Sequence, residues 1–405
     1  MFCNYLGCRY KTTALNFWRV LKLKIRIKNL ILVLFVFLLC SCSIKYIDIL
    51  DADRNEIEVI ENKDEETSTD NVENNIEESD TEVIENNTIE INENKEEIVS
   101  YKIRILNEGE IIYNYNQNIG YSYGPSIIKN EDGSYDAWFS SPGNSGSQWD
   151  WITYRHSDDG TYWSDPEVVL RPTPGSKDSC SVCDPGVVYF NGYYYLAYSS
   201  TNDVNGGGFN NSAFVARSEY PDGPFEKWNG EGWGGDPEPF IVYEGDPKGW
   251  GVGEVSFVIN DNDLYIYYSS IDLSGGCIDL MKADLVDDWP KTIRYKGIAC
   301  SRDTHDSVDV VYSEETENYF ALSVDFRMSS TSKLVLLNSK DGKEFSEVDF
   351  QRNGTQDYAH NIGVAKDKEG HIQNNDEILI IYSFGEYWGR WSTIMQKMKI
   401  ETIVG

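Results

Sequence analysis

One short pattern recurs five times between residues 101 and 405, and it constrains the fold more than any other feature of the chain. Its clearest form is a turn followed by a Tyr-rich strand. It reads GSYDAWFSS at 133–141, GYYYLAYSS at 192–200 and NDLYIYYSS at 262–270, with weaker copies NYFALSVD at 318–325 and DEILIIYSF at 376–384. Each runs apolar or alternates after Gly, Asn or Asp, the signature of a strand leaving a tight turn. Another strand lies just before each copy, at 124–129, 184–190, 253–259, 306–313 and 360–366. A third strand follows each copy, at 151–160, 212–223, 277–288, 333–342 and 391–400. A fourth follows in the first four units, as PEVVL, PFIVYE, TIRYKGIA and SEVDF. The fifth unit has none after it, and YKIRILNEGEIIYN at 101–114 can supply the strand.

This pattern predicts an all-β chain, a five-bladed β-propeller of four-stranded blades whose ring is closed by the N-terminal strand of the domain. A β-sandwich is the competing all-β fold, but it does not predict a fivefold repeat. Helical periodicity is absent throughout. The 27 Tyr and 11 Trp fit this reading, because aromatics favour strands and stacking surfaces.

Charge divides the chain into three parts. Residues 1–46 hold eight basic and no acidic residues. Within them, VLKLKIRIK at 20–28 is a basic n-region, and Leu30–Leu39 is an apolar run of ten residues, the length of a signal-peptide core and short for a membrane span. Leu39-Cys40-Ser41-Cys42 follows and resembles a bacterial lipobox. That resemblance implies residues 1–41 as a signal peptide, cleavage after Ser41, and a lipid anchor on Cys42 that holds an exported protein to the cell membrane. Residues 47–100 carry 20 acidic and 3 basic residues with no Gly, Pro or aromatic. Such a tract cannot bury enough surface to offset its ordering entropy, so 42–100 reads as a disordered acidic tether and 101–405 as the propeller. It lacks the ligand spacing of a calcium loop. A net charge of −32 argues against a nucleic-acid partner, because a phosphate backbone is bound through clustered Lys and Arg.

In a propeller the first strand of each blade runs beside the central channel. Aligned on their Val-Val or Ile-Ile pairs, the five first strands are expected to present Gly124, Asp184, Glu254, Ser307 and His360 at one equivalent position. Two carboxylates and an imidazole at one end of a channel form a site-like constellation. Acid/base chemistry at an acetal needs paired carboxylates of different proton affinity.

The run from Cys183-Asp184-Pro185-Gly186 through Tyr194-Tyr195-Leu196-Ala197-Tyr198 resembles the blade-two signature of glycoside hydrolase family 43 and its relatives. Those are five-bladed propellers that cleave arabinose-, xylose- or galactose-containing glycans with inversion. The resemblance implies that Asp184 modulates and orients the acid, that Glu254 is the general acid, and that His360 binds a central calcium through water, with no other cofactor required. It also implies an oligo- or polysaccharide substrate. One departure matters. The family carries its general base, an Asp before Pro, in the first strand of blade one, where this chain has Gly124-Pro125. Asp309 and Asp306 are the nearest candidates for the missing base, and Asp309 faces the same side of its strand as Ser307. The expected function is therefore a surface lipoprotein glycosidase, arabinofuranosidase- or xylosidase-like. The alternative motivated by Gly124 is a non-catalytic carbohydrate-binding lipoprotein. A purely structural propeller that recruits protein partners is a third.

Tyr121, Tyr123, Trp149 and Trp151 flank the expected mouth of the first blade, and Tyr387, Trp388 and Trp391 that of the fifth. Aromatic faces suit the C–H face of a sugar, or else pack blades. Arg155 and Arg327 are candidates for sugar hydroxyls or for carbonyls inside the blades. Cys180 and Cys183 form a C-x-x-C without the βαβ context of a redox motif. Cys277 and Cys300 sit at neighbouring strand ends, which predicts a cross-strand contact or a disulfide.

Overall fold

Among the described residues there are twenty-two strands and a single 3-10 turn, Trp289–Thr292, and no α-helix. The computed structural model describes residues 99–118, 120–143, 149–203, 207–301, 307–373 and 376–404. The expected signal peptide with Cys42, the acidic tract and Asp306 lie outside the described residues.

The chain opens with β1 (Val99–Ile105) and β2 (Glu110–Tyr113), then forms an antiparallel ladder of β3 (Tyr123–Lys129), β4 (Tyr135–Pro142), β5 (Asp150–Ser157) and β6 (Glu167–Leu170). A second ladder holds β7 (Cys183–Phe190), β8 (Tyr193–Ser200), β9 (Ser212–Ser218) and the short β10 (Glu226–Lys227). A third holds β11 (Gly251–Asn260), β12 (Asp263–Asp272), β13 (Gly275–Asp284) and β14 (Arg294–Cys300). The next runs through β15 (Val308–Ser313), β16 (Asn318–Asp325), β17 (Lys333–Ser339) and β18 (Ser346–Gln351). The last strands are β19 (Ala359–Lys366), β20 (His371–Ile372), β21 (Ile378–Phe384) and β22 (Ser392–Val404). β20 adds to β15 in parallel. β22 takes both β1 and β2 on its outer side, and β19 meets β3 in parallel at Ala365–Ile127 and Lys366–Ile128.

Strands form over the Tyr-rich segments because their side chains are swallowed on both faces. β16 is buried at every residue, and β8 at all but Tyr193. Burial fades outward, and β6, β14 and β18 are largely exposed or half-buried. Each sheet covers the face of the next. Val188, Tyr195 and Val215 pack in one cluster with Val255, Phe257 and Ile266. Tyr198, Tyr267 and Tyr382 are fully buried, and each phenol finds a partner: Asp178 Oδ2 at 3.0 Å, Gly342 O at 2.7 Å and Gln396 Oε1 at 2.6 Å. A buried hydroxyl without a partner would cost a few kcal/mol, so these bonds let Tyr serve as core.

One outer strand differs from expectation. PFIVYE at 239–244 does not form the fourth strand of the second ladder; Glu226–Lys227 does. Phe240 and Ile241 are buried instead as a loop that touches Ala213 by one isolated bridge and packs toward Trp289.

The inner strands neighbour one another in order: β3 beside β7, β7 beside β11, β11 beside β15, β15 beside β19, and β19 beside β3. Side chains tie several of these neighbours. Ser126 Oγ accepts from Val187 N at 3.0 Å, Ser256 Oγ from Val310 N at 2.9 Å, and Asp309 Oδ2 from Val364 N at 2.8 Å. At the equivalent positions of β7 and β19 the residue is glycine, because the neighbour's carbonyl comes too close. A Cβ on Gly186 would stand 1.8 Å from Val255 O, and one on Gly363 2.2 Å from Pro125 O.

Candidate active site

Four inner strands carry the same irregularity near their beginning. The register slips between Tyr123 and Ser126, Cys183 and Gly186, Gly253 and Ser256, and His360 and Ile362. At each slip one residue adopts positive φ: Gly124 at 58°, Asp184 at 51°, Glu254 at 47° and Asn361 at 37°. Bulges of this kind redirect a side chain and cluster at functional sites. A left-handed Glu or Asp costs on the order of 1–3 kcal/mol, so something must hold it there.

The Ser-Ser ends of the Tyr-rich strands do so. Ser140 Oγ accepts from Asp184 N at 2.8 Å, and Ser199 Oγ accepts from Glu254 N at 3.0 Å. Each serine thus pins the bulge of the next inner strand. Ser269 Oγ donates to Glu254 Oε2 at 2.7 Å, while Asn361 Nδ2 donates to Oε1 at 3.0 Å and Arg327 Nη1 lies 3.6 Å from the same oxygen. Arg327 also contacts Asn361 Oδ1 at 3.3 Å.

These strand ends open into a cavity of about 680 Å³. Asp150, Asp184, Glu254, Arg327 and His360 line it, with Tyr121, Tyr123, Trp149, Trp388 and Trp391 as aromatic walls. Trp250 and Phe209, not singled out in the sequence, belong to the same lining. A narrow inner space of about 30 Å³, room for about one water, continues past Gly124, Asp184, Glu254 and Ser307 toward Asp309 and Lys366.

Asp150 is the residue that sequence reasoning missed. It lies between the two tryptophans chosen as sugar platforms, as the first residue of β5, and only 9% of it is exposed. Tyr121 Oη donates to its Oδ1, and Ser181 Oγ donates to its Oδ2 at 3.0 Å. Burial, opposed by the Tyr121 bond and reinforced by the charge of Asp184, pushes the Asp150 carboxyl up to about 6. The phenols of Tyr121 and Tyr123 and the thiol of Cys183 are also driven upward, first by burial and then by these carboxylates. A carboxylate opening a strand beside Trp was the signal available.

Several expected site residues stand elsewhere. Strand alternation turns Trp151 and Arg155 away from the cavity: Arg171 lies 4.9 Å above the Trp151 ring, and Arg155 donates to Ile112 O at 3.0 Å. Asp309 does not face the cavity. It forms a buried ion pair with Lys366 at 2.6 Å and accepts from Ser256 Oγ at 2.7 Å and from the backbone of Val364. The equivalent of Glu254 on β19 is Asn361, and His360 falls one residue earlier, alongside Gly253 and Cys183.

His360 is 2% exposed, stacked between Trp391 at 4.8 Å and Tyr123 at 5.8 Å, with Trp388 edge-on at 5.6 Å. Neither ring nitrogen has a hydrogen-bond partner among the described residues. Burial, helped by the charge of Arg327, holds its pKa well below 6.5, so the ring is neutral. The residues present do not fit the expected calcium. A guanidinium adjoins His360, and the oxygens at the inner end of the channel already surround the Lys366 ammonium: Asp309 Oδ1 at 2.6 Å, Val310 O at 3.0 Å and Ser256 Oγ at 3.1 Å. Among the described residues, no group of three or more His, Cys, Asp or Glu is placed to hold a metal. Cys180, Cys183, Cys277 and Cys300 are all buried, and among the described residues none of them is in a disulfide. The register sets Cys300 opposite Ile278, next to Cys277, and burial and then Cys277 push the Cys300 thiol up to about 12.

No family model matches the sequence, and no curated protein matches it either. Solved structures do. A family 117 glycoside hydrolase of the marine bacterium Zobellia galactanivorans is 16% identical, with a TM-score of 0.51 over 75% of this chain and 90% of its own. An α-L-arabinofuranosidase of Podospora anserina, solved with cellotriose, is 11% identical, with a TM-score of 0.50 over 74% of this chain and 96% of its own. A thermostable family 43 glycoside hydrolase is 15% identical, with a TM-score of 0.50 over 71% and 96%. At such identities the likeness is one of fold: the chain has the β-propeller architecture of these glycoside hydrolases.

Proposed function

We propose that this protein hydrolyses glycosidic bonds of pentose- or galactose-containing glycans in the 680 Å³ cavity, in an arabinofuranosidase- or xylosidase-like reaction with inversion. One observation carries the reading: three carboxyl groups, Asp150, Asp184 and Glu254, share an aromatic-walled cavity with Arg327. Two of them sit on left-handed bulges, a conformation that costs an Asp or Glu on the order of 1–3 kcal/mol. The aromatic walls supply apolar faces for sugar rings, and the carboxylates supply proton transfer. The likeness of fold to the family 43 and 117 hydrolases and to the arabinofuranosidase agrees with this chemistry.

Glu254 is the general acid of this reaction. Ser269 and Asn361 donate to its carboxylate and Arg327 lies 3.6 Å away, which fixes it at the cavity wall. Asp184, on the neighbouring inner strand, modulates and orients it. Asp309 serves the fold.

The reading extends to architecture and location. Two ladders joined at β3 and β19, together with the other three sheets, make five blades, and β1 on β22 closes the ring. Cys42 carries the lipid anchor, and the acidic tract holds the propeller off the membrane. Palmitate labelling lost in Cys42→Ala would support the anchor, and labelling that persists would sink it.

A second reading, capture of glycans without turnover, rests on Gly124. At the position equivalent to Asp184 and Glu254 this chain has no side chain, and a Cβ there would lie 3.2 Å from Asp184 Oδ1. Released sugar from a panel of arabinoxylan, arabinogalactan and fructan separates the two. Turnover abolished by Glu254→Gln supports hydrolysis. Binding on a glycan array with no product from any member of the panel supports capture.

A further inference from the structure

We propose that Asp150 is a substrate-holding residue: its carboxylate accepts a hydrogen bond from one sugar hydroxyl, and the Trp149 ring beside it is the platform for that sugar. This deepens the proposed function and rests on its reading of the cavity as a glycan site.

Buried aspartates elsewhere in the protein face a cation. Asp178 pairs with Lys227, Asp309 with Lys366 and Asp325 with Lys333, and all three aspartates are buried. A carboxylate taken out of water without a counter-charge is costly, which is why such pairing is usual. Asp150 is buried as well, yet among the described residues no Lys, Arg or His pairs with it. Its partners are hydroxyls: Tyr121 on Oδ1, Ser181 on Oδ2 at 3.0 Å, and Tyr123 as a third.

An ionised carboxylate accepts about four hydrogen bonds, so acceptor capacity is left over. Asp150, Tyr121, Ser181 and Trp149 all line the 680 Å³ cavity, and the remaining capacity serves what enters it. A hydroxyl that donates keeps its own lone pairs, so Tyr121 and Ser181 add acceptors beside the carboxylate. Such a group of oxygens next to an indole suits a sugar, which brings hydroxyl donors on its edge and an apolar C–H face.

The backbone fixes both residues for this use. Trp149 N donates to Cys180 O at 2.9 Å, and Trp149 O accepts from Gly143 N at 2.7 Å. Asp150 O accepts from Val182 N at 3.1 Å.

Hydroxyl deletion tests the assignment. The probe is the 4-nitrophenyl glycoside that wild type hydrolyses fastest among the α-L-arabinofuranoside, β-D-xyloside and β-D-galactoside, together with its monodeoxy analogues. In wild type, deleting the hydroxyl that meets Asp150 should lower kcat/KM by about 10- to 150-fold, as for a hydrogen bond to a charged group. In Asp150→Ala that one penalty should fall below about threefold, while the penalties at the other positions stay within about twofold of wild type. A merely structural Asp150 would scale the parent and every analogue alike. Should Asp150→Ala not fold, Tyr121→Phe keeps the ring and removes only the donor to Oδ1. One penalty should then shrink by about threefold or more and the others hold.

Penalties unchanged at every position, or all changed by the same factor, would overturn the assignment and leave hydrolysis intact. Wild type that releases no sugar from these probes or from the glycan panel would overturn the hydrolase reading alone. Calorimetric dissociation constants of the matching methyl glycosides and their deoxy analogues then decide the assignment, with the same selective loss expected. Equal loss at every position, or no binding of any of them, would overturn it.

Discussion

The two ends of the inner strands treat buried charge in opposite ways. Toward the cavity, β7 and β11 carry Asp184 and Glu254 on left-handed bulges, Asp150 is desolvated next to a like charge, and His360 has no hydrogen-bond partner among the described residues. Two residues further along the same strands the positions are Gly186, Ser256 and, on β15, Asp309, and there each polar atom has a partner. Lys366 and Asp309 neutralise each other inside a shell of backbone and serine oxygens. A satisfied pair binds neighbouring strands together. A strained, crowded and partly unsatisfied group is what a reacting site requires. Distance along a strand of only two residues separates the two uses.

Breaking the inner end should have the largest effect. Asp309→Ala leaves the Lys366 ammonium buried without its counter-charge and removes the acceptor of Val364 N. The expected loss is about 3–5 kcal/mol of unfolding free energy, read by denaturant titration. A loss below about 1 kcal/mol would mean that the pair does not secure the β15–β19 contact.

At the cavity end the same kind of change has the opposite sign at neutral pH. Asp150 is raised from 3.8 to about 6 by burial, opposed by Tyr121 and reinforced by Asp184. The folded state therefore holds the proton more tightly than the unfolded chain. The stability contributed by this group is complete below about pH 4 and is lost as pH rises through 6. Wild type minus Asp150→Asn should then shift by on the order of 2–3 kcal/mol between pH 4 and pH 7, with the variant gaining at pH 7. Denaturation of both proteins at the two pH values checks it, and a difference independent of pH would place Asp150 with the satisfied groups.

How much of this was legible follows from the same contrast. The Tyr-rich strands were readable because burial on both faces leaves an apolar run after a turn, and β8, β12 and β16 start within one or two residues of where the pattern puts them. Asp184 and Glu254 were readable because an apolar pair follows each at fixed spacing. His360 was misplaced by one residue, since the bulge belongs to Asn361, three residues before Val364 as Asp184 is before Val187. The serines that pin the bulges were visible as a repeated Ser-Ser, but their partners lie in the next sheet, which no local pattern reveals. Asp150 was passed over because the groups that line the cavity with it, Tyr121, Tyr123 and Cys183, come from elsewhere in the chain. The outer strand of the second sheet was misread for the reverse reason. Phe240 and Ile241 look like a strand because they are apolar, yet they pack as a loop, while the true strand is the polar pair Glu226–Lys227.

Gly124 sharpens the comparison from the side of the backbone. It shares the left-handed bulge with Asp184 and Glu254 but carries no side chain to be held. Gly124→Ala should cost about 1–2 kcal/mol, from the positive φ and from a Cβ only 3.2 Å from Asp184 Oδ1. Gly124→Asn should cost less, because Asn tolerates this region better. Equal losses for the two, in thermal or denaturant unfolding, would mean that the contact with Asp184 outweighs the backbone term.

The smallest expected effect is at the rim. Trp388 is 70% exposed and yet lines the cavity, edge-on to Trp391 at 5.2 Å and to His360 at 5.6 Å. Its exposed ring contributes little to the core, so Trp388→Ala should leave the unfolding midpoint nearly unchanged. If a sugar ring rests on it, removal forfeits about 0.5–1.5 kcal/mol of stacking, which raises KM or the glycan dissociation constant by about 2- to 13-fold. Turnover at saturation should hold, because the ring touches no carboxyl group that transfers a proton. A fall in kcat with constant KM would instead tie Trp388 to the placement of His360 and of the wall behind it, moving it from the rim into the strained end of the strands.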